Sequence, residues 1–525
     1  MKNYLWILLL GLALSACYED KGNYDYREIN ELTVNQIDSI YSRDQFDTLY
    51  IQPELKGTQY DDEERFSYEW LVNNEVVSRD KNLVYPILAP LGRNTCKFII
   101  TDKELETKNY YSFYLQVASS TASDAIVVFC NYKGKAELSF KRLDRNTPFQ
   151  EIFYEKVNGE SLGRGAQQME QNYYFVDRLA GLFLLTKDGL IVLDVNTMKK
   201  YGDINGAYVY NKALPKPELG MYRVDGFSIW RGNDTPFFNI QLIECHYFIV
   251  ADGKLTWFQY LHSFSDELFC RVIGSPYGGT LSPMTYPFWR SAGGGKGYDI
   301  SPEYVLFDET EGHFVFFSIE SKATAEVEDV KGFPGYKLLY GGPVQEKNYS
   351  VAVLGDGSAN KMVYIKTAKG GKLEILGEVD VPREVMNGES DFAMRANTPH
   401  ILWVKGNKLY QYNVTQLTQG TVPSASHVVA DLERLDLGYG PDAVITCMYL
   451  TRSQKSMVLG ISRYGNDTEG ESDELKGDVV VLDAETWEVK NHYPAVSGYP
   501  VDIMVKYQEN YRGGMDENGN MMDPI

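Results

Sequence analysis

Two tryptophan–arginine pairs are the side chains in this 525-residue chain best suited to recognition chemistry. One is Trp230-Arg231, in Ile229-Trp-Arg-Gly-Asn-Asp; the other is Trp289-Arg290, preceded by Phe288. An indole offers a broad apolar face and a guanidinium offers a planar fork of donors. Side by side in a loop they suit a sugar face, a carboxylate or a peptide terminus. The same residues also suit packing, with each Trp between sheets and its Arg snorkelling to water. Both readings stay open at this point. The run Gly293-Gly294-Gly295-Lys296-Gly297 would let the second loop adjust on binding. It is not a phosphate loop, because Gly297 and Tyr298 stand where Ser or Thr must follow the Lys.

Catalytic motifs are missing. No Gly-x-Ser-x-Gly elbow and no His-Glu-x-x-His occurs, and His246, His262, His313, His400, His427 and His492 are scattered singly. No catalytic residue, metal ligand or cofactor is assigned. Two acidic loops, Asn466 to Glu474 and Asp516 to Asn520, carry oxygen donors without the spacing of a calcium hand, and they read as solvated loops. A pair of carboxylates for glycoside hydrolysis could sit at a fold centre, but Asp and Glu total 72 and no pair stands out. The net charge of -21 repels nucleic acid, which is excluded as a partner.

Cys17 has a chemistry of its own. Lys2, an apolar run from Tyr4 to Leu14, and Ser15-Ala16 lead into it. The run is well short of the roughly 20 residues of a membrane-spanning helix and has the layout of a signal peptide. Leu14-Ser15-Ala16-Cys17 looks like a bacterial lipobox, whose Cys becomes a lipidated N-terminus. Two or more acyl chains there give a stable anchor. Of the six Cys, removing Cys17 leaves an odd number without regular spacing, so no disulfide framework is expected.

The elements that would position these residues are β-strands throughout. Residues 18–27 read as a tether. Residues 28–118 alternate with period two between turn residues, and Phe66 to Val77 forms a hairpin about Asn73-Asn74. This predicts an Ig-like β-sandwich with Trp70 in its core. After the small-residue junction 119–123, a unit of two apolar strands, usually joined by a tight Gly turn, recurs about every 50 residues. Seven units, over 124–510, predict a β-propeller of about seven blades. Val501 to Lys506 is positioned to pair with the first blade and close the ring. Residues 511–525 read as a loose tail. Two stacked sandwiches are the competing architecture.

The start Cys17-Tyr-Glu-Asp-Lys-Gly-Asn-Tyr-Asp-Tyr26, the hairpin around Trp70 and Phe98-Ile-Ile-Thr-Asp102 resemble the PKD-like family lipoproteins of Bacteroidota. Tyr18-Glu19-Asp20 resembles the surface-export signal of such lipoproteins. The resemblance implies an outer-membrane, cell-surface lipoprotein beside a TonB-dependent transporter and its lipoprotein lid, as in starch-utilisation-type systems. It implies capture of a glycan or peptide, or assembly with the transporter as a scaffold, and brings no catalytic motif. The alternative is a propeller hydrolase or lyase acting on extracellular polysaccharide. The ligand-facing surface is expected to use Trp230, Arg231, Trp289 and Arg290.

Overall fold

The structure, a computed structural model, describes residues 30–171, 181–203, 224–230, 246–251, 254–259, 273–274, 279–282, 286–288, 303–318, 323–326, 331–344, 349–368, 372–395, 398–507 and 523–525. Blade 3, defined below, is described by its backbone alone. The chain divides into two compact units at Ser119/Ser120.

The N-terminal unit is a β-sandwich of nine strands: β1 (Leu32–Asn35), β2 (Ile40–Asp44), β3 (Thr48–Ile51), β4 (Glu54–Gly57), β5 (Phe66–Val72), β6 (Glu75–Ser78), β7 (Leu83–Pro86), β8 (Gly92–Asp102) and β9 (Lys108–Ala118). One sheet has the order β2-β9-β8-β5-β6, with β2 parallel to β9; β1-β4 and β3-β7 pair separately. Period-two alternation does the sorting, since successive side chains on a strand face opposite sides. On β5, Phe66, Tyr68, Trp70 and Val72 enter the core. Trp70 stacks on Phe98 with ring centroids 4.0 Å apart, and its Nε1 donates to the Asp80 carbonyl at 2.9 Å. The predicted core role for this Trp therefore holds. So does the predicted turn: Asn73 and Asn74 have φ of 50° and 70°, a conformation that Asn tolerates and a tight hairpin needs.

The second unit is a seven-bladed β-propeller. Six four-stranded antiparallel sheets and one three-stranded sheet follow one another among the described residues. The six four-stranded sheets each begin with an inner strand: Ala166–Gln171 in blade 2, Val224–Trp230 in blade 3, Tyr286–Phe288 in blade 4, Lys337–Pro343 in blade 5, Phe392–Met394 in blade 6 and Val444–Leu450 in blade 7. Blade 1 takes its inner strand from the far end of the chain. Tyr499–Lys506 pairs antiparallel with Ala125–Tyr132, setting Lys506 opposite Ala125 and Val505 opposite Ile126. The closure expected for Val501 to Lys506 thus exists.

The cores lie between blades. Where their side chains are described, the second and third strands are mostly buried on both faces, which explains their continuous apolar runs; every residue of Ala125–Asn131 is buried. Ile126, Val128 and Cys130 of blade 1 pack with Val458, Val479 and Val481 of blade 7. Leu402 and Val404 of blade 6 pack with Met457 and Leu459 of blade 7. A fully buried side chain of this kind contributes roughly 1.5–3 kcal/mol, so the seam that closes the ring is as apolar as any other. Cys96, Cys130 and Cys447 are buried and free, as small apolar core residues.

Of the expected loose tail at 511–525, residues 511–522 lie outside the described residues; 523–525 make contacts with the propeller. Ile525 packs against the cluster between blades 7 and 1. The Asp523 carboxylate accepts the Ser456 hydroxyl at 2.7 Å.

Candidate functional site

Strand order fixes what can meet at the propeller axis, because the inner strands of successive blades ring a central channel. Trp230 is the last residue of the blade 3 inner strand, and Trp289-Arg290 follow directly on the blade 4 inner strand. Arg231, Trp289, Arg290 and Cys17 lie outside the described residues, as does the side chain of Trp230.

Two further arginines occupy the same place in other blades, a regularity that sequence spacing alone did not reveal. Arg395 follows the inner strand of blade 6, and Arg452 lies just past that of blade 7. Both reach the next blade. The Arg395 guanidinium lies 5.3 Å from the Trp487 ring centroid of blade 7. It donates to Gln411 Oε1 at 3.2 Å and to the Ala484 carbonyl. Burial lowers its pKa from the ordinary arginine value, partly offset by the charge of Glu485. Arg452 lies 5.8 Å from the Tyr507 ring centroid, beyond the closing strand. At this position, then, arginine–aromatic contacts join neighbouring blades, which is the packing alternative of the sequence reading.

Two acids stand on inner strands or at their start. Asp391 precedes the blade 6 inner strand and Asp502 lies within the closing strand; both keep part of their surface accessible. Asp391 accepts the backbone N–H of Phe392 at 2.8 Å and that of Met448 in blade 7 at 2.7 Å. Asp502 accepts those of Ile503 at 2.8 Å and of Met169 in blade 2 at 2.6 Å. Burial raises the Asp391 pKa to about 6 against the pull of its two N–H bonds. Asp502 is raised well above the usual carboxylate range by burial and then by the charge of Asp391. Cys447, on the intervening blade, is raised by burial and by both acids, so its thiol is poorly nucleophilic. Tyr340 of blade 5 is raised by burial and by Asp391. Chemically, the pair can hold protons at mildly acidic pH, and each carboxylate already ties one blade to the next.

A histidine–carboxylate set exists in blade 7, where no sequence motif pointed. The fully buried Asp478 accepts Arg463 Nε at 2.7 and 2.8 Å, the Tyr439 hydroxyl at 3.0 Å and the Ala495 N–H at 2.7 Å. His492 Nε2 lies 3.3 Å from Asp478 and 3.1 Å from the Tyr439 hydroxyl. Asp478 is on the third strand and His492 on the outermost, so the set stands away from the axis and cross-braces its own blade.

The acidic loop at 466–474 is solvated, as expected, with Asn466, Thr468, Glu469, Glu471, Asp473 and Glu474 exposed. It crosses the closing seam as a strap. The Thr468 carbonyl accepts Asn131 Nδ2 at 2.6 Å, the Asp473 carbonyl accepts the Tyr132 hydroxyl at 2.8 Å, and Glu469 pairs with Lys187 of blade 2 at 2.8 Å. Asp516 to Asn520 lies outside the described residues. Among the described residues, no group of three or more His, Cys, Asp or Glu is placed to hold a metal ion, and no helix is long and apolar enough to cross a membrane.

The fold has solved counterparts. The chain is similar to a quinoprotein alcohol dehydrogenase-like protein of Bacteroides thetaiotaomicron VPI-5482, with 13% identity and a TM-score of 0.50 over 92% of this chain and 100% of that one. Apo AztD of Citrobacter koseri matches at 12% identity and a TM-score of 0.37, over 73% of this chain and 98% of that one. At 13% identity the likeness to the Bacteroides protein is one of fold alone. None of the curated proteins matches the chain in sequence. Residues 17–165, which span the β-sandwich and continue into the first blade, match the PKD-like family.

Proposed function

We propose that the protein is a lipoprotein anchored through Cys17 in the outer membrane and displayed on the cell surface. There it serves as a non-catalytic binding or scaffold subunit of a TonB-dependent, starch-utilisation-type importer of glycan or peptide. One observation carries this reading: the PKD-like match starts at Cys17, the residue that the lipobox makes the mature N-terminus. The acids support it, since Asp391 and Asp502, each partly accessible, and the fully buried Asp478 are engaged in joining strands and blades. Trp230, Arg231, Trp289 and Arg290 remain the proposed ligand contacts on the propeller. Anchoring is tested by Cys17→Ala, which should move the protein from the membrane to the soluble fraction. Display is tested by adding protease to intact cells, where an uncleaved protein would contradict it.

A second reading, a hydrolase or lyase acting on extracellular polysaccharide, is favoured by Asp391, just before an inner strand, and Asp502, within one, two partly accessible acids of raised pKa. Product release from a polysaccharide by the pure protein, lost in Asp391→Asn, would establish it over the first.

A further inference from the structure

The outward face of the five-stranded sheet in the N-terminal unit combines exposed aromatic rings with two cations that have no carboxylate partner among the described residues. Along β9, core-facing Phe113, Leu115 and Val117 alternate with outward Tyr110, Ser112, Tyr114 and Gln116. Tyr110 is 61% exposed and Tyr114 40%. Four residues apart on one face of a strand, the two rings stand roughly 13–14 Å from each other, a span of two to three sugar units.

The neighbouring strand supplies polar groups in register. On β8, Arg93, Thr95 and Lys97 lie opposite Gln116, Tyr114 and Ser112. The Arg93 guanidinium sits 3.6 Å from the Tyr114 ring centroid, which orients both groups. Among the described residues Arg93 has no carboxylate partner, and Lys97 bonds only the neutral Asn74 amide, at 3.2 Å. Glu69, on the same face, is turned to Arg79 at 3.6 Å. Asp44 stands at the β2 edge of the same face, opposite Ala118. Between it and Glu69, the exposed rings with Arg93 and Lys97, cations without carboxylate partners among the described residues, form a strip complementary to an anion.

We propose that this face binds an extended acidic polysaccharide, uronate-bearing or sulfated, laid along β9. Tyr110, and the face of Tyr114 that Arg93 leaves open, stack on sugar rings, Arg93 and Lys97 take the acid groups, and Ser112, Thr95 and Gln116 meet the hydroxyls. A tyrosine face is apolar enough to cover the C–H side of a pyranose. The planar guanidinium matches a carboxylate or sulfate edge. The proposal deepens the binding-subunit reading by naming a ligand class, and it uses a surface separate from the propeller.

The test is affinity electrophoresis of the full-length protein in gels containing polygalacturonate, dextran sulfate or neutral dextran. The expected result is retardation by at least one of the acidic polymers and not by dextran, weakening as salt is raised. Arg93→Gln and Tyr110→Ala should each weaken it roughly tenfold with unchanged thermal unfolding. Absence of retardation by both acidic polymers would overturn the proposal, and so would retardation unaffected by either substitution. A change of oligomeric state in the variants, without polysaccharide binding, would make the face a protein contact and also overturn it. Co-purification of a transporter is a separate readout, so the importer reading and this one fail independently.

Discussion

Asp502 in the closing strand accepts the backbone N–H of Met169 at 2.6 Å, and with that bond the last strand of the propeller grips the inner strand of the second blade. Asp391 does the same from blade 6 to Met448 of blade 7. A carboxylate suits the position because it accepts twice, once from its own following residue and once from the neighbouring blade. Its burial carries a cost that depends on pH. Between about pH 4 and pH 6, folded Asp391 keeps a proton that the unfolded chain has released, so this group's contribution makes stability fall as pH rises through that window. Asp391→Asn should remove that slope in urea unfolding. At pH 7 it should still cost about 1–3 kcal/mol, because an amide nitrogen cannot accept the second N–H.

Lys506 gives the opposite slope. Its ammonium donates to the carbonyls of Thr121 at 2.9 Å and Val195 at 3.0 Å, inside a fully buried site. Burial pulls its pKa down to about 7, against the charges of Asp124 and Asp194. From about pH 7 to the unfolded value of 10.5 the unfolded chain holds a proton that the folded chain does not, so stability rises with pH. In Lys506→Met this rise should be absent from urea midpoints taken between pH 7 and pH 10; an unchanged slope would show that another group titrates.

Asp102 organises one end of the sandwich. It accepts Tyr60 OH at 2.5 Å, Arg65 Nε at 3.0 Å, and the N–H groups of Glu104 at 2.9 Å and Leu105 at 3.1 Å. Burial pushes its pKa up, but these donors outweigh it and hold it at about 2. Its contribution is full above about pH 4 and is lost as pH falls through about 2. Asp102→Ala should cost the N-terminal unit roughly 3–5 kcal/mol by leaving Arg65 and the N–H groups unpaired, and limited proteolysis should then cut before Ser119 first.

Gly470 lets the strap lie flat on blade 1. Its φ is +60°, and an added Cβ would stand 2.1 Å from the Asn131 carbonyl oxygen. Gly470→Ala should lower stability by about 1–3 kcal/mol. Lys187→Ala, which removes only the exposed pair with Glu469, should change it by less than about 1 kcal/mol.

The blades were legible because their middle strands are buried on both faces and so stand out as apolar pairs, from Ala125 to Phe140 in blade 1 to Met457 to Leu482 in blade 7. Closure was legible in Val501 to Lys506 for the same reason. The joints between blades were not. A lone Asp before an apolar run, as at Asp391, looks like surface in sequence, since its partner Met448 is 57 residues away. That the solvated loop at 466–474 also straps the closing seam was not legible, because its contacts with blade 1 run through backbone carbonyls, which composition does not show. Arg395 carried no signal until strand order placed it beside the equivalents of Arg231 and Arg290.

The central claim, a subunit of an outer-membrane importer, is tested most directly by purifying the tagged full-length protein from detergent-solubilised outer membranes and identifying what accompanies it. The account predicts a TonB-dependent transporter and its lipoprotein lid in the wild-type eluate, and their loss with Cys17→Ala. Recovery of the protein alone from outer membranes that contain such a transporter would contradict it.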